Sequence, residues 1–304
     1  MSKFTKKKVK LKRKKYNKKT LNCSANSKSK YTCYSNESLK ILRNKWNIRH
    51  PDKKIISENP RTIWSNLKRF LGNTCSSEAC WMRQKFMENG ITNEMLNYTF
   101  APSAPKSWET NPNTWLTSVD ISKVMKQYER KYPSFLFIGP SPIDYDAKES
   151  DGSFVWEELA LFNLKKEIKK GKKKIGVIFN TDDHTKSGAH WISLFINIET
   201  GEMNFFDSVG DKAPNYVIKF CNTVKEQASL LNKTNEGIKL PEFKFDEIHP
   251  HEHQQENTEC GIYSLYFITN MITKNNFSFF KTKVIKDSEM EKFRNVFFNK
   301  PGSV

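Results

Sequence analysis

Near the C-terminal end of a 304-residue chain, the stretch His253-Gln-Gln-Glu-Asn-Thr-Glu-Cys260-Gly261-Ile262 sets a thiol between a polar loop and an apolar run that continues to Ile268. A thiol at a loop-to-helix junction meets the positive end of the helix dipole, which favours the nucleophilic thiolate. Upstream lie Gly188-Ala-His190-Trp191 and Phe205-Phe-Asp207-Ser208. These residue types supply the parts of an acyl-transfer site: Cys260 as nucleophile, His190 as base, Asp207 to orient the imidazole and Gln254 as oxyanion donor. The set predicts a thiol-dependent peptide hydrolase that needs neither metal nor organic cofactor.

Each residue has a plainer reading. A lone cysteine at a helix start is more often structural than reactive. Here its context argues otherwise, because the polar run from Gln254 to Glu259 is costly to bury unless something uses its amides. Gly261 leaves room for a substrate carbonyl close to the backbone. His184, His249, His251 and His253 compete with His190. His190 is preferred because it directly precedes a strand that would fix its ring, and because Trp191 can shield an ion pair from water. Gln255 is the alternative to Gln254. Three histidines within five loop residues rarely converge on one metal ion, and the cysteines show no C-x2-C pair, so a metal site is not expected.

The elements that must position these groups can be read in outline. Short strands are predicted at Phe135–Ile138, Ile175–Phe179, Trp191–Ile196, Gly201–Phe206 and Phe243–Ile248. A turn at Asn197–Gly201 folds the third strand onto the fourth, so His190 and Asp207 fall at the same end of a hairpin. Helices are predicted over Trp156–Ile168 and Tyr216–Leu231, with another from Cys260 to about Ile272. Upstream, three short helices are predicted: one capped by Asn36, one opened by Asn59-Pro60 and stopped by Gly72, and one over Glu78–Phe86. Strands followed by the nucleophile helix make an α+β arrangement. The expected organisation is a disordered basic arm at 1–35, a helical module at 36–100 and a catalytic domain at 101–304, the last opening on a proline-rich linker.

Hydrophobic residues make up 37% of the chain and its mean hydropathy is -0.70. No run approaches the roughly 18 apolar residues of a membrane span, and no apolar stretch follows the N-terminal charges, so neither membrane nor secretory signal is expected. The formal net charge is +18. Eleven Lys and Arg without an acid in residues 1–20, and six against one acid in 21–50, put +16 of it in the first 50 residues. Such an arm binds nucleic acid through counterion release, or serves as a solvated tail or nuclear-type address. The six cysteines (Cys23, Cys33, Cys75, Cys80, Cys221, Cys260) are scattered, which predicts a reducing compartment and free thiols.

The order "GAHW", "FFDS" and Q-x5-CG, with the acid 17 residues after the histidine, resembles the adenovirus-proteinase and SUMO-protease clan of cysteine peptidases over roughly residues 110–275. Trp115-Leu116 with Asp120-Ile121 resembles the segment that opens the catalytic domain in SUMO-specific proteases. "FIGPSPIDYD" (137–146) and the Cys- and Trp-rich helical module resemble proteases of large cytoplasmic DNA viruses of the African swine fever virus and mimivirus type. The resemblance implies a papain-like, adenain-type fold, with a central mixed sheet flanked by helices and Cys260 at a helix N-terminus. It implies cleavage of viral capsid or core polyproteins, often after Gly-Gly, in the virion or the viral factory of the host cytoplasm. By position it makes His190, Asp207 and Gln254 the base, acid and oxyanion donor around Cys260; Trp191, Gly261 and Trp115 are expected on the substrate side. An isopeptidase acting on ubiquitin-like tails and a non-enzymatic basic virion protein remain as alternatives.

Overall fold

The computed structural model describes residues 21–25, 27, 29–87, 92–234, 237–274 and 276–304. The first 20 residues of the expected basic arm lie outside them. Residues 21–35 depart from that expectation. Leu21, Cys23, Cys33 and Tyr34 join the apolar cluster of the helical region, and the Glu78 carboxylate accepts from the Thr32 hydroxyl (2.9 Å) and the Cys33 N–H (3.1 Å). Free thiols are also corrected at four positions, because Cys23 is disulfide-bonded to Cys33 and Cys75 to Cys80, while Cys221 and Cys260 stay free. Both pairings close short loops, with sequence separations of 10 and 5, beside the apolar cluster of the helical region.

The N-terminal helices are α1 (Asn36–Arg49), α2 (Pro60–Leu71), α3 (Glu78–Met82) and α4 (Thr92–Thr99). Ser35 rather than Asn36 caps α1, accepting from the Ser38 N–H at 3.0 Å. Asn59 caps α2 as its sequence suggests, accepting from Arg61 and Thr62. The predicted third helix is shorter: it ends at Met82, and a 3-10 turn covers Lys85–Met87. Leu39, Leu42, Trp46, Ile63, Leu67 and Trp81 form a core there that is distinct from those around the sheet.

Next come α5 (Ser118–Lys131), β1 (Phe135–Pro142), α6 (Glu157–Ala160), α7 (Leu164–Lys169) and β2 (Lys174–Asn180). Then follow β3 (Trp191–Asn197), β4 (Glu202–Phe206), α8 (Asn215–Lys233), β5 (Lys244–Glu247), α9 (Cys260–Thr273), α10 (Phe277–Thr282) and α11 (Asp287–Phe297). Thr117 and Asp120 form a reciprocal capping box at the start of α5. The strands form one mixed sheet in the order β1-β2-β3-β4-β5, antiparallel through the central hairpin and parallel at both edges. The α+β class and the papain-like arrangement are as expected.

Two local expectations give way. Gly139-Pro140 does not end β1: the strand continues to Pro142 with a register irregularity between Ile138 and Ser141. Gly139 has φ +105°, and a Cβ there would lie 2.6 Å from the Ile178 carbonyl oxygen, so only glycine fits the irregularity. The predicted helix over Trp156–Ile168 is split into α6 and α7, because Asn163 caps a new start at the Lys166 N–H.

Every residue of β3 is buried. One face packs on α5, α9 and the C-terminal helices, and the other on α7 and α8. A strand covered on both faces reads as a continuous apolar run, as Trp191–Ile196 does. Helix α9 is apolar almost all round and lies against β3, with Phe267 stacked on Phe206 at 4.9 Å. Each such buried side chain contributes about 1.5–3 kcal/mol, which makes α9 a rigid base for the residue at its tip.

Candidate active site

Cys260 is the first residue of α9, preceded by Glu259 as N-cap. Glu259 makes no side-chain capping bond, so no side chain spends the free N–H groups of the first turn. His190 immediately precedes β3, and its carbonyl accepts from the Thr181 N–H at 2.9 Å, which fixes the backbone beneath the ring. Asp207 immediately follows β4. The hairpin register, Ser193 opposite Phe206, puts both at one end of the ribbon.

His190 Nε2 lies 2.6 Å from Asp207 Oδ1. That carboxylate is buried and also accepts from the Val209 N–H at 3.0 Å. Cys260 lies beside the same ring and favours its charged form. With Nε2 committed to Asp207, Nδ1 is the nitrogen left for the thiol. Burial works against a charged ring, but the bond from Asp207, the neighbouring Cys260 and their charges outweigh it and lift His190 to about 10. The structure therefore brings Cys260, His190 and Asp207 together, with the imidazole hydrogen-bonded to the acid and influenced by the thiol.

The competing histidines are engaged elsewhere. His184 pairs with Asp144 at 2.6 Å. His249 donates to the Gly210 carbonyl at 2.7 Å. His253 is fully buried, its Nδ1 accepts from the Ile285 N–H at 3.1 Å, and its ring meets His251 edge-on.

Gln254 is buried and Gln255 is exposed. The Gln254 side-chain oxygen accepts from the Ser208 hydroxyl at 2.7 Å, and its amide donates to the Glu256 carbonyl at 2.5 Å. Among the described residues, no acceptor is found for the second N–H of that amide. Ser208 is adjacent to Asp207, so the amide is tied to the same strand end as the imidazole's partner. Sequence reasoning missed this tie, although Ser208 stands in the quoted FFDS motif.

The three residues expected on the substrate side separate. Trp115 is 45% exposed and donates its indole N–H to the Asn257 carbonyl at 2.6 Å, at the lip of the nucleophile loop. Trp191 is buried, and its indole N–H goes to the Leu116 carbonyl at 3.0 Å. Gly261 is likewise taken up by packing. A Cβ there would meet Leu116 Cβ at 3.1 Å and Trp191 Cδ1 at 3.3 Å, so its small size serves the seat of α9. Sequence alone could not tell space left for substrate from space filled by a neighbouring segment.

The family model described as Ulp1 protease family, C-terminal catalytic domain, matches residues 157–300, a span that holds His190, Asp207, Gln254 and Cys260. A protein of Acanthamoeba polyphaga mimivirus named as a thiol protease is 30% identical over 253 residues, covering 81% of this chain and 77% of that protein. The chain belongs to the Ulp1 protease family and is a cysteine-type peptidase. A protein of African swine fever virus named as a SUMO-1 cysteine protease is 26% identical over 254 residues, covering 78% of this chain and 87% of its own length. The crystal structure of an African swine fever virus protease superposes with TM-score 0.62 at 22% identity, over 92% of this chain and 96% of the other, and shares the fold. Both viral relatives point to a viral, infected-cell setting.

Proposed function

We propose that this peptidase is an endopeptidase that cuts after Gly-Gly in viral capsid or core polyproteins during virion maturation. The observation that carries the proposed roles is the single imidazole hydrogen-bonded to the buried Asp207 carboxylate and acting on Cys260 at the tip of α9. His190 takes the thiol proton, and Cys260 Sγ bonds to the scissile carbonyl carbon. The second N–H of the Gln254 amide and the Cys260 backbone N–H hold the oxyanion. The C–N bond breaks as His190 gives its proton to the leaving amine. Water then attacks the thioester, releasing the acid and returning the proton to sulfur. Asp207 holds the ring and favours its charged form.

Cys260 is 2% exposed. A nucleophile that deep is reached best by a chain without side chains beside the scissile bond, which favours glycine. The test is a panel of Gly-Gly-X peptides and bulkier sequences incubated with the full chain, with Cys260→Ala as control. Cleavage of Gly-Gly-X no faster than of bulky sequences would sink the glycine preference.

The printed name of the African swine fever virus relative, a SUMO-1 cysteine protease, favours a second reading as an isopeptidase on ubiquitin-like tails. Labelling of Cys260 by a SUMO-type C-terminal electrophile, faster than cleavage of any polyprotein peptide, would favour that reading. We also assign the protein to virions or the viral factory, with its basic arm contacting nucleic acid. A salt-dependent loss of duplex binding when residues 1–20 are removed checks the arm.

A further inference from the structure

The segment between Gln254 and Cys260 carries both proposed oxyanion donors, yet Gln255, Glu256 and Asn257 at its centre are exposed and polar. Such a loop has little apolar surface to bury, so polar bonds must set its shape. Those bonds come largely from α11, which starts 27 residues after the nucleophile. Asp287, its first residue, accepts the backbone N–H groups of Gln255 (2.9 Å) and Glu256 (3.1 Å) on one carboxylate oxygen. Its other oxygen accepts the Tyr263 hydroxyl at 3.1 Å, tying the same group to α9.

Arg294 lies seven residues, or two turns, further along the same face of α11. Its Nε reaches Glu259 Oε1 and Oε2 at 2.9 and 2.8 Å, and its Nη2 reaches Oε1 at 2.6 Å. Nη2 also donates to the Thr258 carbonyl at 3.0 Å, and Nη1 to the Thr114 carbonyl at 2.8 Å. The side chains of Arg294 and Glu259 are only 4% and 1% exposed. A buried carboxylate directly before the nucleophile is held by one cation, in a forked geometry a lysine could not reproduce. Among the described residues, the side-chain hydrogen bonds found for Asp287 and Arg294 go to this loop, to Thr114 and to Tyr263, and none goes to Cys260, His190 or Asp207.

We propose that Asp287 and Arg294 are positioning residues: one face of α11 splints both ends of the Gln254–Glu259 loop so that the Gln254 amide and the Cys260 N–H converge on the oxyanion. The proposal rests on the roles given to Gln254 and Cys260 above. It separates two properties of the site. Transfer of the thiol proton goes to His190, which with Asp207 stands on the β3–β4 ribbon. Stabilisation of the tetrahedral intermediate depends on the loop and therefore on α11.

Two small reagents read these properties apart without knowledge of the substrate. Alkylation of Cys260 by iodoacetamide needs the thiolate and forms no oxyanion. Acylation by p-nitrophenyl acetate passes through a tetrahedral oxyanion. One oxyanion donor is worth about 10²–10³ in rate, so Asp287→Ala is expected to slow acylation by about 10–10²-fold while alkylation stays within about threefold of the parent. Arg294→Lys keeps a cation beside Glu259 but loses the fork, and is expected to show the same split at about tenfold. Asp287 is only half-buried, so its variant carries the test should the Arg294 variant fail to fold. Equal losses in both reactions, or unchanged acylation, would overturn the proposal. A parent chain that neither reagent modifies at Cys260 would instead overturn the nucleophile assignment.

Discussion

The imidazole of His190 sits between an acid and a thiol, and each neighbour is replaceable. Cys260→Ala is expected to abolish cleavage, and His190→Ala to lower kcat by at least about 10³-fold, as measured by release of a fluorogenic peptide. Asp207→Asn keeps the shape but removes the charge that favours the imidazolium, and a fall in kcat of about 10²-fold or more with little change in KM is expected. Gly261→Ala tests a different role. Its Cβ would press on Leu116 and Trp191 at 3.1–3.3 Å, where the packed seat of α9 has little room to give. A loss of about 1–3 kcal/mol in chemical denaturation is expected, and an unaltered midpoint would refute the packing account.

At the scale of elements, the hairpin and the buried helix do most of the positioning. Their pairing was legible because strands of alternate or continuous apolarity around a Gly-containing turn leave one register open. The irregularity in β1 was not legible, since Gly139-Pro140 reads as a stop when the facing strand is unknown. Its glycine is now testable. Gly139→Ala combines a left-handed φ with a contact 2.6 Å from the Ile178 carbonyl oxygen, and a destabilisation of at least about 2 kcal/mol is expected by thermal or urea unfolding. The helices after residue 275 carry no chemical motif in their sequence. Asp287 and Arg294 are ordinary helix residues until the chain folds them against a loop some 30 residues away.

For the whole molecule, two histidines set opposite limits on stability with pH. His190 is lifted from an ordinary 6.5 to about 10, so the folded state holds its proton more tightly than the unfolded chain. That contribution is complete below pH 6.5 and fades as pH rises toward about 10. His253 is lowered to about 4, first by burial and then by His251, so the folded state resists its protonation. Stability is therefore lost as pH falls from about 6.5 toward 4. Thermal melts across this range should trace a dome, with His190→Ala flattening the alkaline side and His253→Phe the acid side. A dome unchanged by either substitution would contradict the assignments.

What the sequence determined by itself were properties local in the chain: an apolar helix opening on a cysteine, a hairpin bringing His190 and Asp207 to one end, and a concentration of positive charge in the first 50 residues. These follow from periodicity, turn chemistry and short spacings, which a linear reading can measure. Only the tertiary structure decided which histidine meets the thiol, that Trp191 and Gly261 are packed rather than open, that Cys23 pairs with Cys33 and Cys75 with Cys80, and that α11 braces the nucleophile loop. Each of those is a meeting of segments far apart in sequence, where many partners are chemically equivalent and packing alone selects one.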